Sequence, residues 1–487
     1  MKINKLFLLL IFSGTLLTSC AKDDNDVIDD SVTVDPENLD VERFVYRGLN
    51  EYYLYKSDVP ELANDHFAHR TERDEFLASF ATPQDLFYDG LLAPQDRFSY
   101  ITDDYIALEN SFSGIATTTG VDYRLYRFSN SDDLFGVVRY IIPNSNADGQ
   151  GIKRGDLFTR VNGETITIDN YSTLLASDQV TYHLASIEDN TISETSETVT
   201  LTNEVLTENP ILITKTLDVQ GMKVGYIMYN SFVADFDDEL NAAFSQLEAE
   251  GATKLILDLR YNGGGRVSSA TRMASMITGQ FTGEIFAKEQ WNQEYQNLIE
   301  TAYPDRLYNR FTETVDDGER INSLNLTDLY VITSSSSASA SELIINGLDP
   351  YIDVQKVGDT TTGKSQASVT LYDSPDFDRE NANPDHTYAI QPLVLESVNS
   401  KDVSVPYNGI IPDVAIEENL WNLGVLGEPS DPLLSATLDL ITGTRRFYPE
   451  RNHNFREFSE SGHNELDYQR MYIDEVPPSL AKQLFID

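Results

Sequence analysis

The spacing of apolar residues changes along the chain, and each change predicts a different architecture. Over residues 41–107 the aromatics of VERFVYRGLNEYYLY and LFYDGLLAPQDRFSYI recur at helical intervals. That is the spacing of packed core side chains, so the stretch is expected to form a small helical N-terminal domain or cap without chemistry of its own. Residues 108–206 switch to short strands and turns, with an apolar strand at 135–142 and the turn-rich run ADGQGIKRG at 147–155. From Ile211 onward strands and helices alternate. Met222–Tyr229 reads as a strand, 236–247 as a helix, 254–259 as a buried strand and 268–277 as a helix. A further buried strand at 329–332 leads through small residues into a helix that opens at Ser341-Glu342-Leu343. This alternation predicts an α/β domain over 207–435 and, with the preceding stretches, a multidomain α+β protein. The last stretch, 436–487, is acidic and aromatic and stands outside the pattern. It fits packing on the α/β domain, contact with a partner, or partial disorder.

Composition narrows the partners. The chain has 487 residues, 40% of them hydrophobic, which is material for two or three cores. It carries 35 Lys and Arg against 79 Asp and Glu, a net charge of −44. Such a balance argues against nucleic acid and against electrostatic docking on anionic lipid. Residues 1–19 have the layout of an export signal: Lys2 and Lys5, an apolar core too short to span a membrane, then small residues. Leu17-Thr18-Ser19-Cys20 fits a lipobox in which Cys20 carries the lipid. Cys20 is the only cysteine, so neither a disulfide within the chain nor a structural thiolate metal site is expected. With no H-E-x-x-H or comparable metal spacing, no metal or other cofactor is expected. The acidic residues 20–40 fit a solvated tether, and Lys22-Asp23-Asp24-Asn25-Asp26 suits an outer-membrane lipoprotein of a Gram-negative cell envelope, facing the periplasm or the surface.

Candidate chemistry lies at 329–368. The run 334–341 holds six serines in eight residues, which alone would read as a flexible loop. Its place between an apolar strand and an apolar helix instead suits a sharp turn that exposes a nucleophile, with backbone N–H groups of the helix start turned toward a developing oxyanion. Ser339 is the candidate nucleophile and Lys364, 25 residues on, its candidate base. Gly358 to Ser365 also matches the phosphate-binding pattern G-x-x-x-x-G-K-[ST]. A phosphate loop must open a helix, whereas Ser365 to Tyr372 alternates like a strand, which argues against a nucleotide. Three glycines, Gly263 to Gly265, follow a buried strand and suit close approach of backbone to a ligand. None of the six histidines lies in a catalytic pattern, which removes a histidine-based triad.

These motifs, in this order, resemble the C-terminal processing peptidases: tail-specific serine proteases that join a PDZ domain to a Ser/Lys catalytic domain. The resemblance rests on GIKRGDLFTRVNG at 151–163, DLRYNGGG at 258–265, SASASE at 337–342, TGK at 362–364 and GIIPDV at 409–414. It implies a PDZ-like domain over 108–206 that binds a substrate tail's carboxylate at Ser113, Gly114 and Ile115, and a crotonase- or ClpP-like peptidase domain. It also implies Ser339 as nucleophile, Lys364 as base, and the backbone N–H groups of Gly264 and Ala340 as oxyanion donors. Here the chain has Asn262-Gly263-Gly264-Gly265 where the family has N-P-G-G, and Ser368 where a Gln is usual, so Gln366 is the candidate for orienting the lysine. A lysine acts as a base only when neutral, which asks its pKa to fall to near neutrality, a change worth about 4 kcal/mol. The activity implied is cleavage of exported proteins or peptides near exposed C-termini. A catalytically silent peptide-binding scaffold of the same fold is the alternative. Oligomeric state is not encoded in these motifs.

Overall fold

The computed structural model describes residues 38–188, 191–316, 318–444 and 455–476. The expected leader, Cys20 and nearly all of the tether lie outside the described residues. The N-terminal segment forms helices α1 (Asp40–Tyr52), α2 (Arg70–Leu77) and α3 (Tyr105–Phe112), and a short strand at Tyr100–Thr102. The amphipathic α1 buries Phe44, Val45, Leu49 and Tyr52. These side chains do not build a core of their own. They join one continuous cluster with Phe286, Leu343 and Ile390 of the α/β unit. A Cβ on Gly48 would lie 2.8 Å from Ile390 Cδ1, so the absence of a side chain lets the helix approach this closely. The expected helical N-terminal domain or cap therefore packs as a layer on the α/β unit and shares its core.

The β-rich unit has a core of its own, built from Val121, Leu125, Leu134, Phe158 and Val180 among others. Strand β1 (Ile115–Thr118) pairs antiparallel with β7 (Glu204–Thr207). Strands β2 (Val121–Phe128), β3 (Leu134–Ile141), β4 (Leu157–Val161), β5 (Gln179–Glu188) and β6 (Thr191–Thr202) pair in sequence order, all antiparallel.

The α/β unit follows: β8 (Ile211–Val219), β9 (Met222–Tyr229), α4 (Asp237–Ala249), β10 (Lys254–Asp258), β11 (Gly265–Arg266), α5 (Val267–Thr278) and β12 (Ile285–Trp291). Next come β13 (Asp328–Thr333), α6 (Ala340–Leu348), β14 (Asp353–Gly358), β15 (Gln366–Ser368), β16 (Leu393–Asn399), β17 (Val414–Ala415) and α7 (Pro432–Thr442). The central sheet runs β8-β9-β10-β13-β14-β17 and is parallel from β9 onward. Its middle strands β9, β10 and β13 are near-continuous apolar runs and are largely buried, as strands covered on both faces are. Helix α7 crosses the domain limit expected at residue 435. Asp431 caps it and pairs with the buried Arg260 at 2.8 Å, so the helix belongs to the α/β unit.

The C-terminal stretch is a structural component of two sheets, the β-rich one and a second sheet of the α/β unit that contains β11, β15, β16 and β12. Strand β18 (Phe455–Glu460) adds antiparallel to the free edge of β2. Strand β19 (Met471–Tyr472) lies between β11 and β15, parallel to both.

Candidate active site

Ser339 stands where β13 gives way to α6. It is fully buried and is the helix N-cap, with φ 59° and ψ −114°. A positive φ at a non-glycine residue costs about 1–3 kcal/mol and persists only where its surroundings enforce it. The serine run does so. Ser337 Oγ donates to the Leu259 carbonyl at 2.8 Å, Ser341 Oγ to that of Asn262 at 3.0 Å, and Ser334 Oγ to that of Arg260. The residues that look like a linker by composition therefore pin the nucleophile turn to the glycine loop.

Glu342, one turn into α6, organises the other side. Its fully buried carboxylate accepts from the backbone N–H of Ser339 (2.9 Å), Gly363 (2.7 Å) and Lys364 (2.9 Å), and from Thr361 Oγ1. One side chain thus ties the backbone of the candidate nucleophile to that of the candidate base. Burial raises its pKa, and the hydrogen bonds oppose the rise.

Lys364 is fully buried, with Nζ 4.8 Å from the ring centre of Phe98. Burial holds its pKa well below the ordinary lysine value, and the Arg470 guanidinium pushes the same way against Asp96 and Glu342. Lys364 Nζ donates to the Gln469 carbonyl at 2.9 Å and Ser339 Oγ donates to the same oxygen at 3.0 Å. The two residues predicted to act together therefore meet at one peptide carbonyl.

Two expected partners sit elsewhere. Gln366 Nε2 donates to Ser365 Oγ at 2.9 Å and does not orient the lysine amine. Lys364 still lies in the connecting loop, and the two-residue repeat that would put 364 and 366 on one face begins only at Gln366, the first residue of β15. Gly264 directs its N–H to Asn262 Oδ1 at 2.8 Å, into the loop and away from the Gln469 carbonyl. Its neighbour Gly265 donates outward, to the Arg470 carbonyl at 2.6 Å. Ala340 opens α6, where a helix leaves its first N–H groups without intrahelical acceptors. Ser113 ends α3, Gly114 follows with φ 71°, and Ile115 begins β1. Gly114 and Ile115 line a cavity of about 420 Å³ that reaches Gly263, Gly264 and Gln469. The wall of the lysine pocket had no sequence signal. Arg97 donates to the Gly363 carbonyl at 2.7 Å beside Phe98, on a segment expected to be core only.

A buried serine at a strand-to-helix turn of a parallel α/β sheet, beside a glycine loop, is the arrangement of a serine hydrolase. The model of peptidase family S41 matches residues 223–415, and that of the peptidase S41 N-terminal domain matches residues 40–100. The chain belongs to peptidase family S41 and is a serine-type peptidase. It is 25% identical over 344 residues to a carboxyl-terminal-processing protease of Picosynechococcus sp., covering 66% of this chain and 73% of that one. A protein of the same description from Synechocystis sp. is 25% identical over 381 residues, 77% of each chain. Among solved structures, that of a provisionally assigned S41 protease from Bacteroides fragilis aligns with a TM-score of 0.64 at 23% identity, over 82% of this chain and 97% of that one, a likeness of fold.

Proposed function

We propose that the protein is an envelope-anchored endopeptidase that cleaves exported polypeptides near their C-termini, with Ser339 as nucleophile and neutral Lys364 as general base. The observation that carries this reading is the Gln469 carbonyl oxygen, held at 3.0 Å by Ser339 Oγ and at 2.9 Å by Lys364 Nζ. The serine hydroxyl and the lysine amine thus reach one and the same peptide carbonyl, as a nucleophile and its base acting on a peptide would. In the reaction, the Lys364 amine takes the Ser339 hydroxyl proton as Oγ attacks the carbonyl carbon. The oxyanion is received by the Ala340 N–H at the helix start and by the glycine loop once an amide there turns outward. The lysine ammonium returns its proton to the leaving amine, and water then hydrolyses the acyl-enzyme by the same exchange.

The β-rich unit supplies the PDZ-like part of the reading. Gly114 and Ile115, next to Ser113, line the cavity that leads to Gly264, which suits a loop receiving a substrate's terminal carboxylate. Cys20 supplies the lipid anchor to the outer membrane. The silent-scaffold alternative has one observation in its favour, the inward-turned N–H of Gly264.

A chain beginning near Asp23 is the material for the test, incubated with unfolded proteins bearing apolar C-termini. Cleavage is expected, with none by Ser339→Ala or Lys364→Ala proteins of matching circular dichroism. Binding of tail peptides without cleavage by any form would establish the scaffold instead.

A further inference from the structure

The cleft of this enzyme is filled by the enzyme itself. Strand β19 completes a sheet in which β11, the end of the glycine loop, and β15, the strand after Lys364, are otherwise not neighbours. Gly265 N–H donates to the Arg470 carbonyl at 2.6 Å, and Ile473 N–H donates to the Ser368 carbonyl at 3.0 Å. This is strand addition across an active site, the mode by which peptides dock through main-chain hydrogen bonds. Side chains reinforce it. Tyr472 stacks on Phe112 with ring centres 4.0 Å apart, the Arg470 guanidinium lies 4.1 Å from the centre of the Tyr100 ring, and Asp474 accepts from Ser268 Oγ at 2.7 Å. Upstream, β18 extends the β-rich sheet, and Glu460 pairs with Arg124 and Arg139. Both segments lie beyond residues 40–100 and 223–415, the parts of the chain that match the family.

The docked geometry is that of an inhibitor. Attack needs the carbonyl carbon before Oγ and the oxygen turned toward N–H donors. Here the oxygen itself faces Oγ and Nζ, so it occupies the proton-transfer path between serine and lysine. The Gly264 N–H is meanwhile satisfied by Asn262.

We infer that residues 461–474 are an internal pseudosubstrate: the segment blocks the catalytic cleft, and peptide substrates displace it to bind as a strand between β11 and β15, with the carbon rather than the oxygen of their reactive carbonyl turned to Ser339 Oγ. This rests on the reading of Ser339 and Lys364 given above.

The test uses the chain with its C-terminus intact in two opposed forms. Arg470→Ala/Tyr472→Ala weakens docking. Ser268→Cys/Asp474→Cys allows a disulfide to hold the segment in place when oxidised. Hydrolysis of a fluorogenic peptide below saturation is expected to rise at least tenfold in the first form. In the second it is expected to vanish on oxidation and return on reduction. A synthetic peptide of residues 464–474 is expected to inhibit the first form competitively and to bind its Ser339→Ala version. Rates unchanged by the substitutions and by the clamp would overturn the inference while leaving the peptidase intact. If no form hydrolyses any peptide but the synthetic segment still binds the first form and not the clamped one, the occupancy stands and the catalytic reading falls.

Discussion

Glu342 carries more of the site than its place in a serine-rich motif suggests. Four donors converge on its carboxylate, three of them backbone N–H groups of Ser339, Gly363 and Lys364. Leaving a buried donor unpaired costs about 1–3 kcal/mol. Glu342→Ala is therefore expected to lower thermal stability by about 3 kcal/mol or more and to abolish hydrolysis. Glu342→Gln keeps one acceptor oxygen and should retain the fold with kcat at least tenfold lower and KM little changed. Calorimetry and steady-state kinetics read the two effects separately, and wild-type kcat in the Gln variant would remove Glu342 from the positioning of the dyad. Lys364 makes a different prediction. Burial lowers its pKa, so the neutral, active form is reached below the ordinary lysine range. As pH rises through that lowered value the ammonium loses its proton, and kcat/KM should climb and then level off. Lys364→Arg, which stays charged, should lack the rise and lose activity by about three orders of magnitude or more. A rate independent of pH below the ordinary lysine range would argue against a lysine base.

At the scale of elements, the glycine loop and the strand-to-helix turn are shaped for each other. Gly264 has φ 116°, and a Cβ there would lie 2.6 Å from both Ser339 Cβ and the Arg470 carbonyl oxygen. Gly264→Ala should thus eliminate activity and release the C-terminal segment, seen as faster proteolysis within 455–476. Activity retained in that variant would mean the loop can retreat from the serine. The strands, helices and turns that make this arrangement were legible in the chain. The apolar strand before the serines, the three glycines after the strand ending at Asp258, and the strand that follows Lys364 in place of a phosphate-binding helix are all local patterns. Gln366 is a candidate only because Ser368 holds the position where a Gln is usual, and in the fold its amide turns to Ser365 Oγ instead of the lysine. Glu342 lay in the quoted motif, but its role depends on residues 19 to 22 positions away that only folding brings together. The wall at Arg97 and Phe98 and the core shared by α1 and Ile390 are longer-range still. Helical spacing identifies a buried face and not what it is buried against.

On the scale of the whole molecule, the net charge of −44 becomes a constraint on the chain's own closure. The docked segment brings Asp467 and Glu465 to a cavity already lined by Asp122 and Glu208. Burial, and then Asp122, push Glu208 up to about 7, and burial pushes Asp467 up to about 6 against the pull of Arg470. On the same wall burial works against Arg139 and Arg124, yet they hold Glu460 well below the carboxylate range, so that end of the segment stays paired at neutral pH. A carboxyl whose pKa is higher docked than free takes up a proton on docking. Closure is therefore favoured at low pH and weakens as pH rises through about 6, the value of Asp467 in the segment itself. Salt should soften this dependence, because added ions screen the repulsion between carboxylates that line one cavity. Opening of the cleft and deprotonation of Lys364 then act in the same direction. The intact protein should show a steeper rise of kcat/KM with pH, more than one proton deep, than the Arg470→Ala/Tyr472→Ala form, whose profile should follow the lysine alone. Asp467→Asn together with Glu465→Gln should flatten the intact profile toward that single-proton shape and keep the cleft closed to higher pH. Parallel profiles for all three proteins would mean that these carboxylates do not govern access to Ser339.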